Sequence, residues 1–462
     1  MDRRVAQETV ELTVLFSILF TLSGCGSTPE GLLRARLDQT TGVIRLPLGV
    51  VEIYNELQLA PGSHDLTIVG TNTTLKASTG FRGRAILSAD SVRNIRITDV
   101  SFDGNSETPA QPLEMAPPEN AFRIYYKHNA LLIDRSTGVE ISDAHFTNIT
   151  NFAILVSRSS GVRIADTTVE DSGSLDPRGR NNTTGGIVIE EGSSDFSVRH
   201  CTFRNIRGNA LWTHSLYISP RLKDGVFSEN NFDTIGRDAI EVAHASSVRV
   251  ERNTGTHIGY PPSIVDIEHG GTPVAMDTAG NVDQSSYLRN YFTEIDGKCI
   301  DLDGFHDGVV RENECVNRGR AEDYPFGHFG IVMNNANPDM ESVNIEISAN
   351  VIDGAKFGGL FVIGRGHRII GNTFAHLDLA GCNENAAKFG CIYKQDEPEM
   401  LESGIYLGRG AERPAETRAN IIQGNKISGH KMKIHCIVAG PGVSLSANTI
   451  EGNQCRDDPA PR

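Results

Sequence analysis

The chain has 462 residues, of which 39% are hydrophobic and 22% charged, with 47 glycines, a single tryptophan and a formal net charge of −15. That length would ordinarily divide into two or three domains, but abundant glycine with few aromatic residues favours strands and turns over a helix-rich enzyme. The acidic balance, with no basic run and no aromatic–basic interleaving, excludes nucleic acid as a partner, because phosphate binding requires clustered Lys and Arg; any polyanion is repelled at long range unless a cation or local Lys and Arg offset the field.

At the N-terminus, Arg3 and Arg4 precede an apolar run from Leu12 to Leu22 that ends in Leu22-Ser23-Gly24-Cys25. The run is short for a membrane span and has the layout of a secretory segment. Its last four residues resemble the bacterial lipobox. That resemblance implies cleavage before Cys25, acylation of its thiol, and an exported chain anchored to the bacterial cell envelope, on the periplasmic side or the cell surface. Membrane contact would be through the lipid alone. Residues 1–24 are expected to be the signal segment and 25–40 a lipid-anchored linker.

From residue 41 onward short strand-like segments follow one another. Gly42-Val43-Ile44-Arg45-Leu46-Pro47 and Asp65-Leu66-Thr67-Ile68-Val69-Gly70 come first. A recurring strand then places two apolar residues around one variable position: Leu131/Ile133, Ile154/Val156, Ile187/Ile189, Ala210/Trp212, Ile240/Val242, Val274/Met276, Ile300/Leu302, Ile331/Met333, Leu360/Val362, Ile405/Leu407 and Ile437/Ala439. Period-two alternation makes these the inward face and the residues between them the outward one.

In the second half a further signature recurs, Asn, any residue, then Phe, Ile or Cys. It begins at Asn230, Asn290, Asn313, Asn350, Asn372, Asn425 and Asn448, and Asn253 marks a turn without the apolar residue. Asn290 to Asn313 spans 23 residues and Asn350 to Asn372 spans 22, and the wider intervals carry insertions. A unit this short cannot bury its own apolar face and must stack on copies of itself. The coils would pair in parallel about 4.8 Å apart, with the Asn side chains bonding up the stack and Cys315 lying in the core as a buried thiol. This pattern resembles the pectin-lyase-like superfamily of right-handed parallel β-helices over residues 41–455, leaving 456–462 as a tail. The resemblance implies an all-β chain built as one solenoid.

Insertions concentrate beside one strand. From the turn Asn to the next inward residue the base distance is 10, as from Asn230 to Ile240, but it grows to 21, 18 and 33 after Asn253, Asn313 and Asn372. Loops 260–271, 318–328 and 376–402 are therefore expected to wall one sheet face and leave a groove for an extended ligand. The outward positions of that face read Thr213 and His214, then Glu241, Ala243 and His244, then Ala275 and Asp277, Asp301 and Asp303, and Asn334 with Asn335.

Glu241, Asp277, Asp301 and Asp303 thus form a carboxylate cluster, whose like charges raise one another's pKa or share a cation. A proton-bearing acid beside an ionised base can hydrolyse a glycosidic bond, whereas a carboxylate cage can hold calcium against a uronate. A solvated acidic surface would give the same pattern. Gly304 permits the turn that would bring His306, a candidate proton shuttle, toward the same side. The stretch Asp303-Gly304-Phe305-His306-Asp307-Gly308 is similar to the Asp-Pro-His-Asp motif of mannuronan epimerases, without its Pro, and carries over Asp303 and His306. No motif of the polygalacturonase-like hydrolases is complete, and Gly327-His328-Phe329-Gly330 comes nearest. His214, His244, Lys298, Arg311 and Asn334 are the candidate polar substrate-binding groups, with Arg237 and Lys356 also near the stack. Tyr260 and Tyr324 on the wall loops are candidates for stacking on sugar rings, and Trp212 is expected in the core.

Seven cysteines follow Cys25. In an exported chain Cys382 and Cys391 could close a loop by a disulfide; Cys436 with Cys455 is a second candidate, and the odd total leaves at least one thiol. Three functions remain open. The first is an enzyme that cleaves a polysaccharide glycosidic bond with the carboxylate cluster. The second is a calcium-dependent polyuronate lyase or C5 epimerase in which Lys298, Arg311 or His306 abstracts the proton. The third is a non-catalytic glycan-binding or structural rod. In each the partner is a polysaccharide, calcium is the one candidate cofactor, and the chain is expected to be a monomer.

Overall fold

The structure, a computed structural model, describes residues 28–106, 116–117, 119–181, 184–266, 271–336, 340–393, 397, 399–410 and 413–459. Cys25 and the rest of the signal segment lie outside the described residues.

Three short strands make a coil. Phe152–Ser157, Ser160–Ala165 and Thr168–Glu170 pair in parallel with Gly185–Glu190, Ser194–Arg199 and Thr202–Ile206 of the next coil. Repetition of this pairing joins 37 strands of the described residues into one parallel sheet. The corners between strands need a sharp change of direction, and residues such as Arg158 and Asp166 supply it in the left-handed region, at φ 49° and 50°.

Inward residues stack in register. Ile187, Leu211, Ile240, Met276, Ile300 and Ile331 pair successively up the coils and none is exposed. One strand departs from the expected alternation and another from the expected register. In Asn209–His214 the inward residues are Leu211 and Thr213, so Trp212 points outward. In Val274–Asp283 the alternation holds and Asp277 is outward, but the pairing is displaced by two residues, so that Met276 rather than Val274 stacks on Ile240 and Asp277 faces Glu241.

The Asn signature forms the expected ladder. Each buried amide donates to the next Asn Oδ1, at 2.9 Å from Asn230 to Asn253 and from Asn253 to Asn290, 2.8 Å from Asn290 to Asn313 and 2.9 Å from Asn313 to Asn350. It continues through Asn372 and Asn425 and ends on Asn453, not Asn448. Asn448 instead belongs to a second, shorter ladder with Asn420 at another corner. Beside the main ladder the apolar residues stack, as Phe203 does on Phe232 with centroids 4.9 Å apart. Asn313→Ala would leave the Asn290 N–H and the Tyr287 carbonyl, both bonded to that side chain, without partners in the core. It is expected to cost about 3 kcal/mol, read as a lower urea midpoint and faster amide exchange in the flanking coils.

The open N-terminal end of the core is closed by the helix Pro29–Leu37, inside the expected linker. Thr28 caps it by accepting the Gly31 N–H at 3.1 Å, and Leu33 and Leu37 are buried against the first coil. A stack of identical coils needs such a cap, because its end coil otherwise presents core to water. No helix among the described residues is long and apolar enough to cross a membrane.

The cysteines differ from expectation in two places. Cys315 is in the core, but as a disulfide with Cys299 rather than as a thiol. Cys436 and Cys455 are bonded as expected. Cys382 and Cys391 are thiols whose sulfurs lie 2.6 Å apart, and Cys201 is a buried thiol.

Candidate functional site

The register aligns one outward column across the whole stack. Reading up the coils it runs Leu155, Val188, Trp212, Glu241, then Asp277, and, past Asp301, Val332, Phe361 and Tyr406. Its lower part is apolar because it is covered. Phe122 and Tyr126, from the segment around the helix Phe122–Tyr125, pack on Leu155, Val188 and Trp212 as a separate hydrophobic cluster. The upper part is covered too, with Phe361 and Tyr406 stacked at 6.1 Å and Glu397 accepting the Tyr406 hydroxyl. Between these two apolar ends, three successive coils present Glu241, Asp277 and Asp301.

A fourth carboxylate joins from the corner that opens the strand. Oxygens of Asp238, Glu241 and Asp277 all lie within 4.8 Å of one another. The Val274 N–H donates to Asp238 Oδ1 at 2.8 Å, and the Asn209 amide donates to Glu241. Lys298 contacts Asp301 Oδ2 at 2.5 Å, both side chains nearly out of solvent, while Asp301 Oδ1 is buried with no partner. Arg237 lies 3.4 Å from Asp238.

Burial and mutual repulsion set the protonation. The Glu241 carboxyl is pushed well up by burial and then by the Asp238 charge. Asp277, in the middle, is pushed well up by burial and by Asp238, Asp301 and Glu241 together. Asp238 is raised chiefly by burial, against the pull of Arg237. Burial opposes the Lys298 ammonium, yet Asp301, with Asp277 and Asp238 behind it, outweighs that and holds its pKa above the ordinary value. The arrangement therefore sets a carboxyl with a strongly raised pKa, Asp277, one strand spacing from Asp301, which is ion-paired with Lys298.

The walls are tied together across coils. Arg180 pairs with Asp266 at 3.1 Å, the Tyr260 hydroxyl donates to the Asp323 carbonyl at 3.3 Å, and the Phe326 N–H donates to the buried Asp296 at 2.7 Å. Tyr260 thus links two wall loops. Tyr324 is fully buried, its hydroxyl donating to Glu294 at 2.6 Å, and so offers no ring to a sugar; the expectation for it fails.

Other expected residues disperse. Asp303 lies on the same face but beyond the column, beside Asn334 in register, and accepts the Ala336 N–H at 2.8 Å. His306 does not meet the carboxylates. Past Gly304 it pairs beside Asp283 around the corner, bonded to Asp307 at 2.9 Å and Asn281 at 3.0 Å. Arg311 is on a different strand stack, exposed and paired with Glu346 at 2.7 Å. His214 is outward as expected, stacked on Phe122 with centroids 3.9 Å apart and pushed down to about 4 by burial, next to His244. His244 rests against Tyr217 at 5.0 Å. Thr213 faces inward and bonds the Ala243 backbone.

One residue of the site gives no signal in the sequence, and a second stands out there only through its motif. Asp238 sits at a corner, where alternation gives no signal. His328, in the near-miss glycine-flanked motif, brings a buried, unpartnered Nδ1 close to Lys298, and burial with the Lys298 and Lys356 charges pushes it down to about 3.

Calcium fits this donor set poorly. Asp238 and Glu241 already receive protein donors, and Arg237 and Lys298 bring positive charge to the point where a cation would sit.

The lid over the lower column depends on Glu190, which accepts the Phe122 N–H at 2.7 Å and the Arg123 N–H at 3.0 Å. Burial raises Glu190 to about 7, against those two donors. A raised carboxyl contributes stability that is complete below its unfolded pKa and is lost as pH rises through the folded one. Relative to Glu190→Gln, the native chain is expected to lose about 3 kcal/mol between pH 4.5 and pH 8, measured as the difference of the two unfolding curves at each pH.

Comparison with known proteins bears on the fold. Residues 86–274 match the family model of the right handed beta helix region. No curated protein matches the chain. An exopolygalacturonase from Thermotoga maritima is similar in structure, at TM-score 0.53 and 12% identity over 76% of this chain and 89% of that one. PfbA, a surface adhesin of Streptococcus pneumoniae, gives TM-score 0.52 and 13% identity over 72% and 83%. A tailspike protein of E. coli bacteriophage HK620, in complex with a pentasaccharide, gives TM-score 0.52 and 10% identity over 90% and 75%. At such identities the likeness is one of fold.

Proposed function

We propose that this chain, with its right-handed parallel β-helix fold, is a carbohydrate-active protein that cleaves a glycosidic bond of a polysaccharide at the Glu241–Asp277–Asp301 column. The observation that carries this reading is an asymmetry between adjacent coils: Asp277 is buried among carboxyl groups that push its pKa well up, whereas Asp301 is ion-paired with Lys298 at 2.5 Å. Asp277 gives its proton to the glycosidic oxygen as the C–O bond breaks, and Asp301 takes a proton from the attacking water. Glu241 and Asp238 keep Asp277 protonated, and the aromatic covers at both ends of the column limit water. The named functions of similar folds, an exopolygalacturonase and a tailspike in complex with a pentasaccharide, support a saccharide ligand. A surface adhesin among them keeps a binding-only role as the rival.

The test is incubation of the chain lacking residues 1–24 with a panel of neutral and acidic polysaccharides, with calcium and with chelator, and mass analysis of the products. New reducing ends with mass gain of water, unaffected by chelator, are expected. An unsaturated product that needs calcium would favour the lyase, and binding without any bond change the rod. In the cell, the chain is proposed to sit on the envelope through acylated Cys25. Cys25→Ser is expected to move it from the membrane to the soluble fraction on cell fractionation.

A further inference from the structure

Beyond the downstream end of the carboxylate strands, the turns that follow two later coils enclose a second pocket, of about 220 Å³. It adjoins the main face, because Asn335 on its rim precedes Ala336, whose N–H is held by Asp303. Its character is opposite to that of the column. Arg365 and Arg418 are bridge partners in neighbouring coils, so two guanidinium side chains leave the backbone one strand spacing, about 4.8 Å, apart. Arg413 adds a third from the turn, with Nη1 buried and unpartnered.

Two acids line the same pocket and pair with two of these arginines, so the lining keeps an excess of one positive charge, and Arg413 has no such pair among the described residues. Glu341 lies 3.4 Å from Arg365 and Glu416 2.7 Å from Arg418, but these acids are 62% and 76% exposed, where an ion pair contributes little. Asn335, only 7% exposed, has a buried side-chain oxygen without a partner, an acceptor that a saccharide hydroxyl beside the anion would satisfy. A buried donor left unpaired costs free energy in the empty pocket. Like charges stacked one coil apart add to that cost. An anion with several acceptor oxygens relieves both, and the planar guanidinium fork matches a carboxylate or a sulfate with paired hydrogen bonds.

We propose that this pocket binds an anionic substituent, a carboxylate or sulfate, on a saccharide unit lying beyond the cleavage column, so that the polymer taken by this chain is acidic. This rests on the carboxylate column being the cleavage site. The pocket supplies the local positive charge without which a chain of net charge −15 repels such a polymer.

The experiment is calorimetric titration of the full chain carrying Asp277→Asn with hexasaccharides of galacturonate, of mannuronate and guluronate, and of a sulfated galactan. Carboxyl-reduced or desulfated counterparts are titrated in parallel. One acidic hexasaccharide is expected to bind roughly tenfold tighter than its neutral counterpart, and its identity separates carboxylate from sulfate. Arg413→Gln, and separately the exposed pair Arg365→Gln with Arg418→Gln, are each expected to remove most of that advantage while leaving the neutral counterpart's affinity unchanged. The proposal is overturned if no acidic hexasaccharide binds, if the neutral forms bind equally well, or if the advantage survives both sets of substitutions. Cleavage of neutral polysaccharide by the native chain would then still support the column alone, whereas intact binding without any cleavage would remove the column and leave the pocket.

Discussion

Asp277→Asn is expected to lower kcat/KM by about 1,000-fold, within the usual contribution of a positioned general acid, while the fold stays intact. The amide has the shape of the protonated carboxyl but no acidic proton, so the substitution removes the chemistry with little change in packing. Stability is expected to hold or rise at neutral pH, because Asp277 is raised by burial and by the charges of Asp238, Asp301 and Glu241 and gains nothing from ionising. A drop in rate together with a collapsed melting curve would instead point to a packing role. The pH profile follows from the same sign. The acid works while protonated, so turnover falls as pH rises through its elevated pKa, and the variant loses that alkaline limb. Asp303→Asn is the control on the same strand. Its carboxylate accepts the Ala336 N–H outside the column, so turnover is expected to stay within about threefold of native, the size of a lost ordinary hydrogen bond. Unchanged turnover in Asp277→Asn, or equal loss in both variants, would sink the assignment.

The solenoid was legible because two periodicities agree in it, alternation along each strand and a 22- or 23-residue interval between buried Asn residues. Where a second layer covers the outer face, alternation fails. Ala210, Leu211 and Trp212 are all apolar because the Phe122 segment packs on the outside of that coil, so the sequence alone offers two faces for Trp212, which takes the covered outer one. At Val274-Ala275-Met276 the faces are as expected and only the register moves, by two residues, which is what puts Asp277 directly beside Glu241. At Asn448 and Asn453 the last coil carries an Asn at each of two corners, and only the register distinguishes them.

The column of acids survived these slips because any outward residue of three consecutive coils lands on one wall. Corners did not survive. Asp238 enters from a turn, where side-chain direction has no period, and His306 leaves through one, since Gly304, at φ 72°, sends the chain round the coil edge. Nearness in sequence therefore misled at His306, only three residues after Asp303, while Lys298, three residues before Asp301, folds back onto it. What decides between them is whether a corner intervenes.

Lys298→Met is expected to be the most destabilising single change at the site, lowering stability by about 3 to 5 kcal/mol, the usual result of stranding one member of a buried ion pair, and reducing turnover about 100-fold. Methionine keeps most of the side-chain volume, so packing is nearly conserved and the loss reports on charge. With the ammonium gone, Asp301 has no cation at 2.5 Å and one of its oxygens is already unpartnered. Four carboxyls then crowd the same wall, and the low-energy outcome is protonation of Asp301, which removes the proton acceptor. The double substitution Lys298→Met with Asp301→Asn separates the two effects. Stability is expected to return most of the way to native, because no buried charge is left stranded, whereas turnover stays at the level of Lys298→Met. If the double variant were no more stable than Lys298→Met, Lys298 would be holding the wall loop rather than Asp301. If it were active, the proton acceptor would have to be another carboxyl of the site, with Asp238, beside Arg237, the alternative.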